Sequence, residues 1–118
     1  MAHLPAIEVP KWALALINNL YDLERKLTLH GDPGNAQRNV EKMKEVFGTQ
    51  GLFYEDPLGQ PFKETRTDLE ATISGTGVEN LVVVEVIKPI IRGGEANFSR
   101  VVQKGIVLVQ SNDNGVLK

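Results

Sequence analysis

Two histidines, His3 and His30, are the only side chains of this 118-residue chain that ordinarily exchange a proton near neutral pH. Neither belongs to a recognisable catalytic constellation. His30 falls at the predicted end of a helix, where a cation complements the helix dipole. The chain contains no cysteine, which excludes disulfides and thiolate chemistry and removes the usual ligands of structural zinc sites. Proton transfer and nucleophilic catalysis therefore have little support in the sequence.

Asp68 and Glu70 form the one arrangement that would support acid–base catalysis, because residues i and i+2 of a strand project from the same face. Such a pair is most simply the solvent-facing side of a strand. Gly75-Thr76-Gly77 lacks the lysine and the following helix of a phosphate-binding loop, and no acidic or histidine cluster has metal-ligand spacing. We therefore predict a protein that is not an enzyme and needs no metal or cofactor. A small hydrolase or ligand-binding enzyme built on the carboxylate pair is the alternative.

Composition describes one average globular domain, with 42% hydrophobic and 24% charged residues. The formal net charge is −2 and both signs are interspersed, which argues against nucleic-acid binding, since that needs clustered Lys and Arg. The N-terminus does not have the pattern of a secretory signal, and the longest apolar run, at 81–91, is too short to cross a membrane. We expect a cytoplasmic protein that binds neither nucleic acid nor membranes.

Two segments near the N-terminus have the pattern of amphipathic helices. Residues 10–29 contain no glycine or internal proline, and residues 36–47 resume helical spacing after a break. Within the break, Asp32 or Asn35 is expected to cap the second helix. Gly48 is expected to end that helix in a left-handed conformation. The apolar residues step by three and four, as in helix bundles. Each helix thus has one narrow apolar stripe. Because two such stripes make a poor core alone, we predict that the two helices are half of a four-helix bundle, completed by a second copy of the chain. The predicted dimer interface comprises Ala13, Leu16, Leu20, Leu23, Leu27, Val40, Met43 and Phe47.

The second half of the chain has the pattern of strands. Residues 68–74 alternate between apolar and polar, residues 81–91 and 101–110 are rich in Val and Ile, and residues 92–97 supply the turn of a long hairpin. Helices followed by strands predict an α+β fold, in which an N-terminal αα-hairpin precedes a small, mainly antiparallel β-head. We expect the helical hairpin at 10–48, the β-head at 49–110 and flexible termini at 1–9 and 111–118.

Taken in order, these elements resemble the C-terminal half of GrpE-type nucleotide exchange factors. The resemblance covers residues 12–109, and the long N-terminal coiled-coil helix of that family has no counterpart within these 118 residues. No single motif is specific; the order and spacing carry the resemblance. The matching segments are 16–27 (LINNLYDLERKL), 43–48 (MKEVFG), 58–62 (LGQPF) with Glu70-Ala71, 82–88 (VVVEVIK), 100–102 (RVV) and 106–109 (IVLV).

The resemblance implies a homodimeric co-chaperone with no chemistry of its own. A GrpE-like dimer places its β-head against a DnaK-type chaperone and favours the open, nucleotide-free state, so that ADP leaves faster. A partner shifts such an equilibrium only by binding one state better than the other. On this basis we expect Gly48, Lys88, Pro89, Ile90 and Arg100 near the chaperone. Each also has a purely structural interpretation. Gly48 would be a helix cap, Pro89 would protect an edge strand or set a bulge, and Ile90 would be a core residue. Lys88 and Arg100 would be solvated charges.

The predicted β-hairpin departs from the family pattern. The family's Gln-Lys-Gly-Tyr is replaced by Ile-Lys-Pro-Ile at 87–90, and its Arg-Pro-Ala by Gln-Lys-Gly at 103–105. The alternative function is therefore a GrpE-like fold reused as a homodimeric adaptor for another partner, without exchange activity.

Overall fold

The computed structural model describes residues 9–95 and 99–112. Two helices precede six strands, which confirms the predicted α+β class with an N-terminal helical hairpin. By compactness the chain divides into two units, Met1–Tyr54 with Arg92–Val102, and Glu55–Ile91 with Gln103–Lys118. The predicted flexible termini fall outside the described residues, except for Val9, Ser111 and Asn112. The elements are α1 (Lys11–His30), α2 (Gln37–Thr49), β1 (Leu52–Glu55), β2 (Leu69–Ile73), β3 (Leu81–Lys88), β4 (Ile90–Gly93), β5 (Arg100–Gln103) and β6 (Gly105–Ser111).

The two helices form an antiparallel hairpin, since Glu24 contacts Gln37 near the turn while Ile17 and Phe47 line one pocket farther from it. The link between them is fixed by Asp32, whose carboxylate accepts hydrogen bonds from the N–H groups of Ala36 at 2.6 Å and Gln37 at 2.8 Å. The side-chain oxygen thus satisfies donors that a helix leaves free at its start. Of the two predicted caps, Asp32 is the one confirmed.

The prediction that Gly48 ends α2 in a left-handed conformation is wrong. Gly48 lies inside the last turn, and the left-handed glycine is Gly51, with φ of 76°. The Gly51 carbonyl accepts the N–H of Gly94 at 2.8 Å, and a Cβ at position 51 would lie 3.2 Å from the Gly94 oxygen. The close approach of a second backbone, together with the positive φ, explains why glycine is needed at 51 and not at 48.

Within residues 9–95 and 99–112, six strands form two three-stranded sheets, in the orders β1-β4-β5 and β2-β6-β3. β3 and β6 pair antiparallel from Leu81↔Ser111 to Lys88↔Ile106, which confirms the predicted pairing of the two Val- and Ile-rich segments. Each segment of the predicted long hairpin is interrupted, one at Pro89 and the other at Lys104, and their other halves, β4 and β5, are neighbours in the other sheet. Proline has no N–H for a ladder, so the strand ends there.

β2 pairs with β6 in parallel, from Leu69↔Gly105 to Ile73↔Val109. The sheet is therefore mixed. In β6 the buried residues alternate with half-buried ones, and Leu69, Val83, Val86, Val107 and Val109 make up most of the buried apolar side chains of the second unit. None of the described helices is both long and apolar enough to cross a membrane.

Gly105→Ala is expected to destabilise the second unit. A Cβ at position 105 would lie 2.8 Å from Leu69 Cδ2 and 3.0 Å from Ile90 Cγ1, closer than carbon atoms pack. We expect the free energy of unfolding, measured by urea denaturation, to fall by about 1–3 kcal/mol. Gly34→Ala is the control, because no described atom lies within 4 Å of a Cβ built there. Equal losses in the two variants would contradict the close packing around Gly105.

Candidate functional site

A polar network joins both helices to β1 in the first unit, and its centre is the carboxylate of Glu24. Glu24 continues the buried stripe of α1, which includes Ile17, Leu20 and Tyr21. The hydroxyl of Tyr54 in β1 donates to one carboxylate oxygen, and Gln37 Nε2 in α2 donates to the other at 2.8 Å. Lys44 Nζ in α2 lies 3.4 Å from both oxygens. Three donors from two other elements therefore converge on one acceptor.

The network keeps Glu24 ionised and Tyr54 protonated. Burial raises the pKa of the Glu24 carboxyl, but the hydrogen bonds from Tyr54 and Gln37 and the charge of Lys44 outweigh burial, so that the pKa is lowered. Burial and the hydrogen bond to Glu24 raise the pKa of the Tyr54 phenol. Neither group exchanges a proton near neutral pH, which makes this cluster unsuited to acid–base catalysis.

Aromatic contacts orient the Tyr54 ring. Its centroid lies 5.6 Å from that of Tyr21, with the ring planes at 77°, an edge-to-face arrangement. The Lys44 ammonium lies 5.1 Å from the Tyr54 centroid, and the Arg25 guanidinium 5.7 Å from the Tyr21 centroid. The neighbouring pocket measures ≈ 70 Å³, against about 300–1,000 Å³ for typical small-molecule sites. The cluster is a structural clamp between β1 and the helical hairpin.

Sequence reasoning missed this clamp. Glu24 follows Leu20 by four residues and Tyr21 by three, so a charged residue stands on the predicted buried stripe of an amphipathic helix. A charged residue at a position predicted to be buried was the one sign in the sequence that Glu24 has partners in other elements. The donors Gln37, Lys44 and Tyr54 lie in other elements, and no local pattern links them to Glu24.

The predicted dimer-interface residues divide between the interior and the surface of the hairpin. Ala13, Leu20 and Val40 are buried within the chain itself. Leu27 and Phe47 are half-buried. Leu16, Leu23 and Met43 are exposed. Within a single chain, therefore, the first three already have partners, and the last three lie on the surface.

Five exposed apolar residues define a surface that we call the hairpin face. Their exposed fractions are 66% for Trp12, 54% for Leu16, 37% for Leu23, 41% for Met43 and 64% for Val46. Each of the five directly precedes a buried or half-buried residue, and one step back along a helix is a rotation of about 100°. Because the helices are antiparallel, the same rotation on each places these side chains on one side of the hairpin, about 100° around each helix from the clamp.

The predicted chaperone-contact residues differ in how exposed their side chains are. Pro89 and Ile90 are fully buried. Lys88, the last residue of β3, and Arg100, the first residue of β5, are exposed. Gly48 is half-buried, and a Cβ there would lie 3.5 Å from the ring of Phe53. Only Lys88 and Arg100 offer exposed side chains to a partner.

The two carboxylates considered for catalysis, Asp68 and Glu70, have different surroundings. Both oxygens of Asp68 accept from Arg66, Oδ1 from Nε and Oδ2 from Nη2, each at 3.0 Å, while Glu70 is exposed on β2. His30 is exposed at the end of α1, and His3 lies outside the described residues. Within residues 9–95 and 99–112 no group of three or more acidic or histidine side chains has a geometry that would hold a metal ion.

Glu24→Gln is expected to lower the free energy of unfolding at pH 7 by about 1–3 kcal/mol, because an ionised acceptor of several hydrogen bonds is lost. In the unmodified chain the folded-state pKa of Glu24 lies below its unfolded value. The stabilisation is therefore present above the unfolded pKa of about 4.3 and is lost as pH falls through the folded pKa. Urea titrations from neutral to acid pH should show a shallower loss of stability in the variant.

Asp22→Asn is the control for Glu24→Gln. The hydrogen bonds and charges of Lys26 and Arg25 also lower the pKa of the Asp22 carboxyl on α1. However, Asp22 forms its ion pairs with these residues at the surface and within the same helix. Such pairs contribute little. A loss in Asp22→Asn as large as that in Glu24→Gln would contradict the central position of Glu24.

Comparison of the chain with protein-family models, curated proteins and solved structures gave no match. The similarity to GrpE-type exchange factors therefore rests on the order and spacing of the segments quoted above, and the function it implies is a proposal.

Proposed function

We propose that this chain is a non-enzymatic, homodimeric interaction protein that binds a DnaK-type chaperone and promotes ADP release, in the manner of GrpE-type exchange factors. The observation that carries the dimeric part is the hairpin face. On the clamp side of the hairpin, the charged groups of Glu24 and Lys44 are satisfied by contacts within the chain. On the hairpin face, five large apolar side chains are exposed to solvent.

A second copy of the hairpin is the proposed cover for this face. Exposed apolar patches of this kind mark interaction surfaces, and two helical hairpins packed face to face make a four-helix bundle. A symmetric dimer uses the same patch on both copies. Leu16 and Leu23 of α1 and Met43 of α2 then acquire the apolar surroundings that the single chain does not supply.

The chaperone part of the proposal is supported by the order of elements. Two helices followed by a β-rich region match the expectation from the resemblance. In this mechanism the β-rich region binds the nucleotide-free state of the chaperone more tightly than the ADP-bound state, and the difference in affinity sets the extent of release. Lys88 and Arg100 are the proposed contacts, since both are exposed. A cytoplasmic location accompanies this function and agrees with the absence of cysteine.

The second candidate function is a homodimeric adaptor for another partner. Pro89 and Ile90 stand where the family has a different motif, and both are buried. Two of the five predicted contact residues thus have core positions, which favours a head surface different from that of an exchange factor.

Leu16→Glu is expected to convert the dimer to a monomer, because each copy would bring a carboxylate to an apolar interface. Sedimentation equilibrium at micromolar concentration measures the mass. Leu29→Glu is the matched control: Leu29 is 69% exposed but lies on the opposite side of α1 from Leu16. A monomeric mass for the unmodified chain, or dissociation of both variants, would contradict the hairpin face as the dimer interface.

The exchange function is tested by the release rate of labelled ADP from a DnaK-type chaperone. We expect the chain to accelerate release, and Lys88→Ala and Arg100→Ala to reduce the acceleration, because each removes an exposed charge from a proposed contact. Lys63→Ala, at an exposed lysine outside the proposed contacts, should keep the full effect. No acceleration by a folded dimer would exclude the exchange function and leave the adaptor.

A further inference from the structure

β2 is an edge strand of the sheet β2-β6-β3. At one end of its ladder the N–H of Gly105 donates to the carbonyl of Asp68 at 2.9 Å, and at the other end the N–H of Ser74 donates to the carbonyl of Val109 at 2.8 Å. Successive residues of a strand direct their backbone groups to opposite sides. The even-numbered residues from 68 to 74 therefore bond to β6.

The odd-numbered residues of β2 direct their backbone groups away from β6. These are Leu69, Ala71 and Ile73, and no other strand lies beside them within the described ranges 9–95 and 99–112. No hydrogen bond within the same ranges satisfies their N–H and C=O groups. This row of alternating donors and acceptors is a template for one more strand.

The opposite edge of the same sheet is covered. The N–H of Gly59 donates to the carbonyl of Val83 at 2.9 Å, and that of Phe62 to the carbonyl of Leu81 at 2.8 Å. β3 also carries two register irregularities, between Val83 and Glu85 and between Val86 and Lys88. Coverage and bulges are the means by which proteins protect sheet edges. Within the part of the chain that the structure describes, β2 has neither device, and it contains no proline or lysine.

The side chains of β2 define what would fit beside it. Ile73 is 44% exposed on the face that also carries the buried Leu69. Glu70 and Thr72 are exposed on the other face, and Glu70 is the only charged residue of the strand. Cross-strand apolar and opposite-charge pairs stabilise sheets. An incoming strand with an aliphatic residue beside Ile73 and a lysine or arginine beside Glu70 is complementary on both faces.

We propose that β2 is a docking edge for an extended, basic and aliphatic peptide segment of a partner protein, which joins the sheet as a fourth strand. Backbone hydrogen bonds supply affinity in this mode of recognition, and alternate side chains supply specificity. A second copy of β2 would bring no basic residue to Glu70, so a peptide from another protein is the better occupant. β2 and the hairpin face share no residues, so the two surfaces are tested independently.

The test uses acetyl-Thr-Val-Lys-Val-Thr-Val-Lys-amide as the probe, with amide hydrogen exchange of the full chain followed by NMR. In the free chain the amides of Leu69, Ala71 and Ile73 should exchange faster than those of Glu70 and Thr72. At saturation with peptide, exchange of the first three should slow by about tenfold or more, while the two that already bond to β6 should be unchanged. The peptide with proline in place of each valine keeps the charges, loses donors and is the matched control.

Two variants separate strand addition from other binding. Ala71→Pro removes an outward N–H that β6 does not use, a position where an edge strand tolerates proline, and should abolish protection. Glu70→Lys, at an exposed side chain, should weaken binding of the lysine peptide and bind the corresponding glutamate peptide instead. If Ala71→Pro does not fold, the proposal is tested by the preference of Glu70→Lys for the glutamate peptide over the lysine peptide.

Three results would overturn the proposal. The first is no saturable binding of the peptide at millimolar concentration. The second is binding that leaves the exchange of Leu69, Ala71 and Ile73 unchanged. The third is protection of these amides that rises with protein concentration alone, which would make a second copy the occupant.

Discussion

The carboxylate of Glu24 is the interaction on which the first unit depends. It accepts hydrogen bonds from Tyr54 of β1 and from Gln37 and Lys44 of α2, so one acceptor holds three elements together. A carboxylate with a single partner at this depth would be costly, because an incompletely satisfied charge retains most of its desolvation penalty. Three donors offset that cost, and their contacts require one particular rotation of each helix about its axis.

That rotation determines what the hairpin presents to solvent. Once Glu24 on α1 and Lys44 on α2 face the clamp, the apolar residues directly before them, Leu23 and Met43, lie about 100° away around each helix and are exposed. The predicted interface is consequently divided: Ala13 and Leu20 pack inside the chain, and Leu16 and Leu23 remain outside. A heptad pattern alone does not separate these two sets, since both follow the same spacing.

The helices were predictable to within about two residues because their signals are local: apolar spacing, an Asp32 cap and a glycine-rich link. Gly51 was not identified as the terminus of α2, since the requirement comes from Gly94, far along the chain. The antiparallel pairing of β3 with β6 was predictable from two Val- and Ile-rich segments around a turn. The transfer of β4 and β5 to another sheet was not predictable, although Pro89 marks the break. The parallel direction of β2 relative to β6 was not predictable either, because the alternation of apolar and polar residues is the same in both directions. The partners of Glu24 lie 13, 20 and 30 residues away and were likewise outside local reasoning.

The parallel pairing of β2 with β6 also constrains how the chain reaches its native state. Leu69 and Gly105 are neighbours in the ladder but are separated by 36 residues in the sequence, so their contact closes a long loop before it gains any stability. During synthesis β2 leaves the ribosome well before β6, and until then both of its edges are unpaired. The helical hairpin, whose contacts are closer in sequence, is complete much earlier. The sheet β2-β6-β3 therefore has a higher loop-closure cost than the helical hairpin, and the interval before β6 arrives leaves both edges of β2 open to misassembly.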